Sequence, residues 1–158
     1  MLKLTVWELF LRLIPECFLF ILGSYVIANI RIKKSSYFAS SILFAIGAYL
    51  IRMLPIHFGI HTGISIMLYI LLATFLNKIP IKDAISASML WTITLSACEA
   101  LNAYILNCLK LNMQSILNNP LVKVLYFTPS LIMFSLAILL ANILISKSEK
   151  EGSKNVFN

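Results

Sequence analysis

Apolar residues run from about Val6 to Ile30 with little interruption. That stretch is longer than the ~20 residues an α-helix needs to cross a ~30 Å hydrocarbon core. Further apolar runs follow at about residues 37–54, 60–76, 84–109 and 125–145, separated by short polar segments. Only 12% of the 158 residues are charged, about half the usual share of a soluble domain, and the mean hydropathy is +0.92. In hydrocarbon every backbone polar group must be satisfied within the protein, which leaves helices or closed barrels. A barrel would show alternating segments of about ten residues, whereas these runs are longer and continuous. The expected fold is all-α, a polytopic membrane helical bundle of five transmembrane helices. Residues 1–145 form the membrane domain, with spans at about 6–30, 37–54, 60–76, 84–109 and 125–145. Residues 146–158 read as a flexible polar tail.

The connections carry their own signals. Glu8, Arg12 and Glu16 interrupt the first run, which argues against a cleaved secretory signal. Pro55 disfavours continuation of the second span. Residues 55–63 hold a proline, two glycines and two histidines and read as a partly buried turn. Asp83 is placed to cap a helix beginning at Ala84, and Pro129 is expected to bend the last span. The Lys/Arg bias of short loops sets membrane orientation. Arg31, Lys33, Lys34, Lys78, Lys82, Lys147, Lys150 and Lys154 fall on one side of a five-span arrangement, against Lys3, Lys110, Lys123, Arg12 and Arg52 on the other. This puts the N-terminus outside and the C-terminus in the cytoplasm of a multi-pass cell-membrane protein. Because the basic residues are scattered instead of forming one face, a nucleic-acid partner is not expected. Cys17, Cys98 and Cys108 lie in apolar stretches without CxxC spacing and read as buried thiols.

Charges within spans are costly and usually face the bundle interior, so they mark candidate sites. At a rise of 1.5 Å per residue, Glu16 stands about 21 Å above Ile30, Arg52 and Glu99 about 22 Å above Tyr37 and Ala84, and His61 about 24 Å above Asn77. Ser88, Thr92, Ser96, Glu99 and Asn102 recur at helical spacing on one face of the fourth span, opposite Leu90, Ile93, Leu101 and Ile105. The expected site is a polar, ligand-binding cavity in the outer part of the bilayer, formed by Glu16, Arg52, His57, His61, Ser96, Glu99 and Asn102.

Plainer readings stand beside it. Arg52 could simply neutralise Glu16 or Glu99, and the Ser/Thr stripe could serve close helix packing. Glu8, Arg12 and Glu16, spaced four apart, could pair along one helical face. His57 and His61 could share a metal, but Gly59 and Pro55 make a regular helix uncertain there, and no metal or other cofactor is expected. An intramembrane metalloprotease-like enzyme would need a fuller ligand set than Glu16 or Glu99 with the two histidines. The cysteines lack a neighbouring base for nucleophilic catalysis. No catalytic residue is assigned, and the chain is not expected to be an enzyme.

At Ile14-Pro15-Glu16 and at Arg52-Met53-Leu54-Pro55-Ile56-His57-Phe58-Gly59-Ile60-His61-Thr62 the sequence resembles the N-terminal membrane sensor region of bacterial sensor histidine kinases. The resemblance rests on these two short motifs. It implies a region that passes an extracytoplasmic or membrane signal to a cytoplasmic kinase. Residues 146–158 contain no phosphoacceptor helix or ATP-binding domain, so autophosphorylation is not carried over and a partner protein such as a kinase is implied. The expected function is a multi-pass membrane sensing or regulatory subunit with a small-molecule or peptide ligand. A small substrate-binding subunit of a transporter is the alternative.

Overall fold

The computed structural model describes residues 9–54, 58–109 and 120–155, and all regular structure among them is helical. A π-helical segment at Leu9–Leu13 leads into α1 (Ile14–Ala28). It is followed by α2 (Lys34–Met53), α3 (Phe58–Phe75), α4 (Ile81–Cys108) and α5 (Pro120–Asn155). Four stretches among the described residues are long and apolar enough to cross a membrane: Leu11–Ala28, Lys34–Met53, Ile81–Cys108 and Val124–Lys147. The third apolar helix, Gly59–Phe75, is shorter.

Local chemistry explains the boundaries. Pro15 has no N–H to give to the carbonyl of Leu11, and its ring crowds that group, so the wider π turn just before it relieves the conflict. Asn29 closes α1 in the left-handed conformation (φ 49°), with the N–H groups of Asn29 and Ile30 bonded to the carbonyls of Val26 and Tyr25. Leu54, held extended before Pro55, ends α2.

Other boundaries differ from those expected. The third helix begins at Phe58, before the expected start at about residue 60, so His61 is helical; Gly59 and Gly63 are accommodated with open space around them. Asp83 does not cap α4. Pro80 is the N-cap residue, and Asp83 lies in the first turn, where its charge still complements the helix dipole. The last helix continues through Pro129 to Asn155, beyond the expected start of a flexible tail at residue 146. Lys and Glu are strong helix formers, and an established helix propagates through them readily. Thr128 and Ser130, which flank Pro129, donate their hydroxyls to the carbonyls of Val124 and Phe127 in the preceding turn.

The helices alternate in direction, and α1 is central, packing on α2, α4 and α5. Three layers stack along it. At its N-terminal end are charges. In the middle, Phe20 meets Phe44, Tyr69 and Phe134 edge-on or tilted, and Trp91 meets Phe134 at a centroid distance of 5.9 Å. Gly23 makes the close approach of α1 and α4 possible, because a Cβ there would overlap the Trp91 indole ring.

At the C-terminal end of α1 the buried Asn77 accepts from Tyr25 Oη at 2.9 Å and exchanges hydrogen bonds with Ser40 Oγ. Lys78 adopts φ 55°, which turns the chain so that Ile79 is buried and bonds back to the carbonyl of Ala73. Outside the bundle, α4 exposes Leu90, Ile93, Leu101 and Ile105, the apolar face opposite its polar stripe, which suits lipid or apolar packing. Exposed apolar side chains of this size and number on every helix suit a hydrocarbon solvent.

Candidate ion-pair site at the N-terminal end of the central helix

Two ion pairs meet the central helix from opposite neighbours. Glu16, in the first turn of α1, receives Arg52 from the last turn of α2 at 3.5 Å. Arg12, on the π segment, pairs with Glu99 of α4 and lies over the Phe127 ring of α5, 5.1 Å from its centroid. A guanidinium over an aromatic face gains from the ring quadrupole without losing its carboxylate. The first chain segment therefore supplies one cation and one anion, and α2 and α4 each supply the complement. The four charges sum to zero, which keeps their insertion into an apolar bundle affordable.

Of the two carboxylates open to Arg52, Glu16 takes it, and Glu99 is neutralised by Arg12 instead. Arg12 pairs with Glu99 of α4 instead of with Glu16 four residues on, so the ladder expected along this face is not formed between those two residues. Glu8 lies outside the described residues.

The remaining expected site residues divide. Asn102 is buried and donates Nδ2–H to the carbonyl of Tyr126 at 2.9 Å, clamping α4 to α5. Ser96 is exposed and belongs to neither ion pair. His61 is half-buried in the first turn of α3, with Nδ1 buried and making no hydrogen bond among the described residues. His57 lies outside the described residues. Ser88 of the polar stripe is buried and bonds the carbonyl of Ile85 in its own helix, consistent with packing. The three cysteines were expected to be buried; Cys17 and Cys98 are, whereas Cys108, in the last turn of α4, is exposed.

The members of each pair differ in accessibility. Side-chain exposure is 9% for Glu16 and 20% for Arg12, against 37% for both Arg52 and Glu99. The exposed cation sits on α2, the exposed anion on α4, and the more buried partners belong to the first turn of α1 and the π segment before it. A separate groove of about 400 Å³ between α2 and α3, lined by Gly47, Leu50, Ile51, Met67 and Leu68 among others, is almost wholly apolar and contains none of these charged residues.

Sequence reasoning found Glu16, Arg52 and Glu99 by depth but missed the roles of Arg12 and Phe127. The signal for Arg12 was present, since it is a charge inside an apolar run one turn before Pro15. It also missed the buried junction of Tyr25, Ser40 and Asn77, because an asparagine at the end of an apolar run looks like the start of a solvated loop. Comparison with protein-family models, characterised proteins and solved structures finds no match for this chain.

Proposed function

We propose that the chain is a sensing or regulatory subunit of a bacterial cytoplasmic membrane, with five spans and the N-terminus outside, in which a ligand competes for the exposed halves of the two ion pairs. The unequal exposure of Arg52 and Glu99 against Glu16 and Arg12 carries this reading. An anionic group that engages Arg52, or a cationic group that engages Glu99, weakens the hold of α1 on α2 or α4. Helix packing then differs between the occupied and empty states, and a partner protein that prefers one packing reads the difference.

The five-span count is supported by α3 itself. Its 18 residues extend about 27 Å at 1.5 Å per residue. Its start lies only a few residues beyond the end of α2, and Asn77, just past its C-terminal end, reaches Tyr25 and Ser40 at the far end of the bundle. The orientation follows from the loop charges and has a native reporter. In intact cells the exposed Cys108 should react with a membrane-impermeant thiol reagent, Cys108→Ser should abolish that labelling, and a cysteine replacing Lys33 in a Cys108→Ser background should stay unlabelled until the cells are permeabilised. Labelling in the reverse order would invert the topology.

The functional reading is tested by purifying the tagged full chain from native membranes and identifying bound proteins and small molecules by mass spectrometry. A kinase or other regulatory protein, together with a charged small molecule or peptide lost from Arg52→Gln and Glu99→Gln variants, is expected. A transport ATPase with a bound solute would replace sensing by the transporter reading. A chain recovered without partner or ligand would contradict both.

A further inference from the structure

The end of the bundle opposite the ion pairs carries a different charge pattern. The connection from α1 to α2 bears Arg31 and Lys33, α2 opens with Lys34, the connection from α3 to α4 bears Lys78, and Lys82 lies in the first turn of α4; all five side chains are exposed. Against them, residues 29–34 and 76–83 contain one acid, Asp83. These two connections are not independent loops. Asn77 is buried between Tyr25, three residues before the end of α1, and Ser40, in the second turn of α2, and it bonds to both. The buried Ile79 anchors the second connection. The basic residues of both connections are thereby held at one end of the molecule. The first turn of α2 has no acidic residue, and its N-cap has no side-chain hydrogen bond, so the helix dipole adds to the positive field.

Large apolar side chains are interleaved with these cations. Ile30 and Ile32, which alternate with Arg31 and Lys33, are 38% and 47% exposed, and Phe75 and Ile81 flank the second connection at 78% and 64%. Cations beside exposed apolar side chains at the end of an apolar bundle match the headgroup boundary of a bilayer. A nucleic acid or soluble acidic protein would leave those apolar groups in water.

We propose that this rim is a docking surface for the headgroups of anionic phospholipids, with Lys33, Lys34 and Lys78 contacting the phosphates while Ile30, Ile32, Phe75 and Ile81 reach into the acyl boundary. Juxtamembrane cations each add attraction to anionic lipid, and here the hydrogen bonds of Asn77 and Ile79 hold together the segments that carry them, so that several cations can act on one headgroup layer. The assignment requires only that the apolar helices lie in a bilayer, and it is independent of the ligand proposed for the other end.

Native mass spectrometry of the detergent-solubilised full chain, offered equal amounts of phosphatidylglycerol and phosphatidylcholine, tests it. The wild-type chain should retain phosphatidylglycerol at least about tenfold over phosphatidylcholine. The K33Q/K34Q/K78Q variant should fall to near parity with unchanged helical content by circular dichroism. Inorganic phosphate at the same concentration should not displace the lipid. Equal retention of the two lipids by the wild-type chain would overturn the proposal whether or not the variant folds. So would an unaltered preference in a folded variant, or displacement by phosphate alone, which would mark a free-anion site.

Discussion

Replacing Gly23 by leucine should lower the stability of the solubilised chain by about 3 kcal/mol, in the range expected when a core aromatic is displaced and a packed interior is overfilled. The cause is contact between α1 and α4. A Cβ at position 23 would overlap the indole of Trp91, and Trp91 is 1% exposed and packed edge-on with Phe134. The ring therefore has no free space into which to move without opening the aromatic layer. Even Gly23→Ala should be costly here, although alanine is the better helix former by up to about 1 kcal/mol. Combining Gly23→Ala with Trp91→Leu should cost less than the sum of the two single changes, because the shorter side chain vacates the overlap. Thermal unfolding of the three variants in one detergent decides this, and strictly additive losses would show that the two residues do not limit each other.

The second large effect is expected at Arg52. Arg52→Leu leaves Glu16, 9% exposed, without its nearest cation. Breaking a buried pair by removing one partner costs about 3–5 kcal/mol when both members are buried. Arg52 is 37% exposed, so the loss should lie near the lower limit, about 3 kcal/mol. Glu16→Gln in the Arg52→Leu background should recover part of it, since a neutral amide does not need a cation in an apolar bundle. Unfolding midpoints of the single and double variants give the comparison. A double variant as unstable as the sum of its parts would mean that Glu16 is compensated elsewhere.

How far the sequence reveals this molecule depends on the range of the interaction concerned. The all-helical character and the four helices long and apolar enough to cross a membrane follow from long apolar runs, and the apolar face of α4 follows from the spacing of Leu90, Ile93, Leu101 and Ile105, which are exposed. Depth along each helix also transfers well, because rise per residue is nearly constant. It places Glu16, Arg52 and Glu99 at one end of the bundle, where the two ion pairs form.

Partner choice transferred only in part, because it depends on azimuth as well as height: Arg52 with Glu16 was one of two pairings open, whereas Arg12 with Glu99 was not among them. Arg12 meets Glu99 of α4 instead of Glu16 four residues on, a choice that spacing along one helix does not give. The Asn77 junction was hidden for a related reason. Its three members lie on separate elements, and only the antiparallel arrangement of α2 and α3 brings Ser40 to Asn77.

The pairing of four charges across the central helix is tested most directly by double-mutant cycles on thermal stability in the solubilised full chain. Arg52→Leu with Glu16→Gln, and Arg12→Leu with Glu99→Gln, should each show a coupling of about 1 kcal/mol or more, within the range for contacting charged pairs. Arg52→Leu with Glu99→Gln, which joins residues of different pairs, should show a clearly smaller coupling. Equal coupling in all three cycles would contradict the two-pair arrangement, as would strict additivity in the first two, and either result would remove the physical basis for a ligand acting through Arg52 and Glu99.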